Sequence, residues 1–70
     1  MTAAQVAQAA LAGCIPARMA RYVRATYGDQ PFQDQEGTWL RADVQSPLGV
    51  LRCQVRVAGG TPAVRLLPVS

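Results

Sequence analysis

Residues 13–28, GCIPARMARYVRATYG, decide how this chain is organised. Two glycines and a proline frame a segment in which arginine recurs at Arg18, Arg21 and Arg24. Pro16 fits the first turn of a helix, where a missing N–H costs nothing, and Gly28 fits the stop after the last turn. On a helical wheel Ile15, Met19, Tyr22, Val23 and Thr26 share one arc, with Tyr27 at its edge. Arg18, Arg21 and Arg24 fall on the reverse side with Ala17 and Ala25. The spacing predicts a helix over 16–27 with its apolar side inward and its arginines outward.

Upstream, Thr2 is a natural N-cap for a first helix over about residues 3–12. Val6, Ala10, Ala3, Ala7 and Leu11 form its apolar arc, Gln5 and Gln8 lie opposite, and Gly13 ends it. Downstream, DQPFQDQEGT (29–38) reads as a connecting loop. Phe32 is expected to fold back onto the core, and Asp29, Asp34 and Glu36 to stay solvated.

The C-terminal half alternates between apolar and polar residues. TWLRADVQ (38–45) and VLRCQVRV (50–57) read as strands joined by the turn SPLG, with proline and glycine at turn positions. Gly59-Gly60 signals a second hairpin before TPAVRL. A loop at Pro47-Leu48 sets Val44 opposite Leu51, Ala42 opposite Cys53 and Leu40 opposite Val55. On the other face it sets Asp43 opposite Arg52 and Trp39 opposite Arg56. The Gly59-Gly60 loop independently sets Val55 opposite Val64 and Cys53 opposite Leu66, again on the apolar face. Pro62 and Pro68 suit an edge strand. The expected architecture is α+β: two N-terminal helices packed on a three-stranded antiparallel β-meander, as one domain over residues 1–70. Its outer face would carry Trp39, Arg41, Asp43, Arg52, Gln54, Arg56 and Arg65. There an Asp43–Arg52 ion pair and a Trp39–Arg56 cation–π pair are expected.

Seventy residues make one small domain, burying only about 60% of the unfolded surface. Much of the apolar content is alanine, so large core side chains are few and a homodimer is expected. The net charge is +3 and all seven basic residues are arginine. The arginine fork suits phosphate, carboxylate and guanine, although a coding bias against lysine would leave the same composition. Histidine is absent, which removes imidazole acid–base chemistry and the usual Ser-His and Cys-His pairs. Cys14 and Cys53 with four carboxylates reach no metal-ligand constellation, and the loop acids match no calcium loop. Neither an enzyme nor a cofactor is expected. Without a signal-peptide pattern or a membrane-length apolar run, the expectation is a cytoplasmic protein with reduced thiols and no membrane partner.

AALAGCIPARMARYV (9–23) resembles the helix-turn-helix of bacterial and phage regulators. Ala9, Gly13, Cys14, Pro16, Met19 and Tyr22 fit that pattern, and Arg21 stands where many such helices carry arginine. RYV (21–23) is also similar to the region after the turn in MerR-type and excisionase-type winged helices. Ile15 departs from the usual Ser/Thr cap, and Gln8 from an apolar position of the first helix. The resemblance implies a DNA-binding regulator of phage or plasmid type, with 16–27 in the major groove and the 38–57 hairpin as its wing. Arg18 and Arg21 would reach base edges and Arg24 the phosphates. Arg52 and Arg56 on the outer sheet face would add contacts. A non-enzymatic protein-interaction module that docks on a larger host protein, through an acidic surface of that partner, is the alternative. The loop acids favour it, being poorly placed for an approach to DNA.

Overall fold

The computed structural model describes residues 1–67. One α-helix, α1 (Ala3–Ala12), leads through a six-residue 3-10 turn (Ala17–Tyr22) into β1 (Arg24–Tyr27). Then follow β2 (Phe32–Asp34), β3 (Gly37–Ser46), β4 (Gly49–Ala58) and β5 (Val64–Leu66). The strands form one antiparallel sheet in the order β1-β3-β4-β5, and β2 also pairs with β3.

The helix starts where the sequence places it, because Thr2 and Gln5 cap each other. The Thr2 Oγ1 accepts from the Gln5 amide at 3.1 Å, and Gln5 Oε1 accepts from the Thr2 amide at 2.8 Å. That reciprocal arrangement satisfies two N–H groups that the first turn would otherwise leave open. The buried Ala7 and Leu11 then rest on Leu40, Ala42, Cys53 and Val55 of the two central strands. Small residues on this arc let the helix backbone sit close to the sheet.

The expected second helix over 16–27 and the three-stranded meander are both overturned. Only residues 17–22 coil, and as a 3-10 turn without a buried residue; residues 24–27 are an edge strand. The register Ala25↔Val44 and Tyr27↔Ala42 turns Ala25 and Tyr27 toward the helix-side core, while Arg24 and Thr26 face away. Thus RATY satisfies a period of two as well as it satisfies a helical arc. The vacant edge of β3 offers backbone hydrogen bonds along the strand, and Thr26 and Tyr27 suit a pleated surface. The six-residue 3-10 turn that does form buries no side chain and offers no comparable gain.

The second departure is in the 29–38 loop, which contains β2. Asp34 Oδ1 accepts from the Glu36 amide at 2.8 Å and closes a tight turn before Gly37. Gly37 adopts φ +136°, and a Cβ there would lie 2.8 Å from the Ala58 carbonyl oxygen, so the hairpin depends on glycine. Phe32 pairs with Trp39 and lies half-buried beside it on the face away from α1, not in the helix-side core.

The long β3–β4 hairpin keeps the register expected from its turn, from Ser46↔Gly49 to Trp39↔Arg56. It slips by one residue at Thr38/Trp39, leaving Val57 without a partner opposite. β5 pairs Val64 with Val55 and Leu66 with Cys53 at the sheet edge, as Pro62 suggested. Pro68 lies outside the described residues. No helix among the described residues is long and apolar enough to cross a membrane.

Candidate functional site: the open face of the sheet

Strand alternation sorts the charges. With Ala25, Leu40, Ala42, Cys53 and Val55 turned to α1, their neighbours Arg24, Trp39, Arg41, Asp43, Arg52, Gln54, Arg56 and Arg65 take the opposite face. Five of the seven arginines therefore share one side of the sheet, which no helix among the described residues covers.

Two of the five are held by the protein itself. Arg65 stacks over the Trp39 ring with its guanidinium carbon 3.9 Å from the ring centroid. It also pairs with Asp34 at 2.6 Å and Glu36 at 3.3 Å, and donates to Gln54 Oε1 at 2.6 Å. Arg56 lies 5.4 Å from the same ring and donates to the carbonyls of Thr61 and Glu36, each at 2.9 Å. Trp39 Nε1 donates to Asp34 at 2.9 Å. Together these contacts clamp the β2–β3 turn to β4 and β5 and leave Trp39 only 3% exposed. The Arg65 hydrogen bond first, then those from the Glu36 amide and Trp39, hold the Asp34 carboxyl below its usual range. The indole has no free face for stacking on a base. Asp34 and Glu36, expected as solvated loop acids, are partners of Arg65.

Arg24, Arg41 and Arg52 are exposed and make no ion pair among the described residues. Asp43 stands opposite Arg52 in register, but the expected pair does not close. These three arginines, with Asp43, Gln45, Gln54 and Thr26 between them, form a field of net positive charge on the sheet. Beneath it Cys53 donates to the Ala42 carbonyl at 3.4 Å. Burial first, then the nearby Asp43 and Cys14, pushes its thiol pKa up and keeps it neutral.

Of the residues singled out from sequence, Arg24, Arg52 and Arg56 meet on this face, and the Trp39–Arg56 contact forms. Arg18 and Arg21 do not join them. They sit on the exposed 3-10 turn, where Arg21 lies 5.8 Å from the Tyr22 ring. The expected reading helix is absent, so these two arginines are not the N-terminal turn of a groove-reading element. Arg41 lies outside the binding residues expected from sequence, although the alternation of TWLRADVQ sets it on the outer face. Among the described residues no three His, Cys, Asp or Glu side chains gather as a metal site.

Comparison with protein-family models, curated proteins and solved structures finds no match, so chemistry alone carries the reading of this face.

Proposed function

We propose that this chain is a small, non-enzymatic DNA-binding regulatory protein of phage or plasmid type. In this reading it holds the phosphate backbone with the open sheet face rather than with a helix. The observation that carries it is the field of Arg24, Arg41 and Arg52, three exposed guanidinium groups on one face that form no ion pair among the described residues. Arginine forks match phosphate oxygens, and each phosphate neutralised releases counterions. Arg18 and Arg21 can extend the contact only from outside the sheet. Cytoplasmic location with both thiols reduced belongs to the same reading.

The test is duplex affinity measured against salt. Three phosphate contacts give a slope of about −3 in log affinity against log salt, at about −0.9 per phosphate. Replacing Arg24, Arg41 and Arg52 together with glutamine should flatten that slope to near zero. An unchanged slope removes the open face from the reading.

A protein-docking role is favoured by a different observation. Leu48, Val50, Leu51 and Leu66 are exposed toward the Pro47-Leu48 end of the sheet, beyond the part that α1 covers. Such exposed apolar side chains are common at interfaces. A partner that survives nuclease treatment, and is lost on Leu51→Ser with Leu66→Ser, would establish that role.

A further inference from the structure

The open face is not flat. A depression of about 500 Å³ lies between β1 and β4, bordered by Thr26, Gly28, Arg41, Asp43, Arg52 and Gln54. Its low wall exists because Gly28, bonded through its amide to the Arg41 carbonyl at 2.9 Å, continues β1 without a side chain. A Cβ on Gly28 would meet Arg41 Cβ at 3.5 Å and begin to fill that space.

Across β3 and β4 the polar groups alternate. Arg41 faces Gln54 and Asp43 faces Arg52, so Arg41 and Arg52 are diagonal neighbours about 7–8 Å apart at their bases. Gln54 spends its oxygen on Arg65 and keeps its NH₂ as a donor. Asp43 is half-buried and makes no ion pair among the described residues, a carboxylate set among the donors of Arg41, Arg52 and Gln54, with Leu67 as an apolar part of the rim. A bare phosphate would answer the arginines but leave Asp43 unpaired and most of the space empty.

We propose that this depression seats one unpaired nucleotide of a single strand, an inference that rests on the nucleic-acid reading of the face. Arg41 and Arg52 take the flanking phosphodiesters. Asp43 accepts from an amino group on the edge of the splayed-out base, for which cytosine N4 is well suited. The Arg guanidinium planes supply the stacking surface that the buried Trp39 cannot. A base held within a duplex does not reach the depression, so the seat favours single strands over duplexes.

Gly28→Leu occupies part of the depression and leaves every charge in place; the backbone there is outside the left-handed region, and a Cβ meets its neighbours at ordinary contact distance. The probes are a single-stranded oligo-dC of about ten nucleotides and a mixed-sequence duplex of similar length. Gly28→Leu should weaken oligo-dC binding about tenfold and change duplex binding less than about twofold. Asp43→Asn, which leaves Gly28 and the backbone as they are, should remove the preference for oligo-dC over oligo-dT. Equal weakening of both probes by Gly28→Leu, or no weakening of oligo-dC, overturns the seat while the phosphate reading stands. A wild-type chain that binds neither probe overturns both.

Discussion

Thr26 separates a strand from a helix at the segment on which the fold turns. Its side chain is exposed on β1, opposite Asp43 and away from the core, so substitutions there alter propensity with little change in burial. In a strand, isoleucine is favoured over alanine by up to about 1 kcal/mol, and an exposed edge position places the effect near the lower half of that range. In a helix the order reverses, with alanine favoured by about 0.5 kcal/mol. Thr26→Ile should therefore stabilise the chain relative to Thr26→Ala by about 0.2–0.5 kcal/mol. With a urea dependence of about 1 kcal/mol per molar, the midpoints should separate by about 0.2–0.5 M. Trp39, clamped between β2, β4 and β5, supplies the fluorescence signal for that transition. If Thr26→Ala is the more stable of the two, residues 24–27 are not a strand.

Other expectations concern the core, the clamp and the thiols. Leu40 is 1% exposed beneath α1, so Leu40→Ala should cost about 3 kcal/mol in urea unfolding. A cost below about 1 kcal/mol would mean that the helix is not seated on β3 and β4. Because the folded state lowers the Asp34 pKa, its contribution is fully present above the unfolded value and is lost as pH falls through the lower folded one. Trp39 fluorescence should accordingly change only below about pH 4, and Asp34→Asn should abolish that step; a step centred above pH of about 4 contradicts the clamp. The raised Cys53 and Tyr27 pKa values work in the opposite sense. Their contribution is whole below the unfolded values and is lost as pH rises, so stability should decline above about pH 8.5. A thiol reagent should label the exposed Cys14 alone in the native chain and Cys53 only after denaturation. Rapid native labelling of both would contradict the burial of Cys53.

The features legible in the chain alone are local ones. Thr2, Gln5 and Gly13 bound α1 through hydrogen bonds made within a few residues. The Pro47-Leu48 turn and the period-two alternation on either side set the β3–β4 register, since a slip of one residue would turn Leu40, Ala42, Cys53 and Val55 into water. The same alternation already placed Arg41, Arg52, Arg56 and Arg65 on one face. Two decisions were left to the tertiary structure. ARMARYVRATY fits a helical arc and, at its end, an alternating strand, and the free edge of β3 selects the strand with hydrogen bonds that no local pattern reveals. Arg65, indistinguishable in sequence from Arg41 and Arg52, is drawn off the surface because Asp34, Glu36 and Trp39 arrive beside it from the β2–β3 hairpin, whereas the Trp39–Arg56 contact was legible in the β3–β4 register. GCIPARMARYVRATYG thus contributes an edge and one arginine to the candidate site, because pairing with β3 needed a strand where the local pattern allowed a helix.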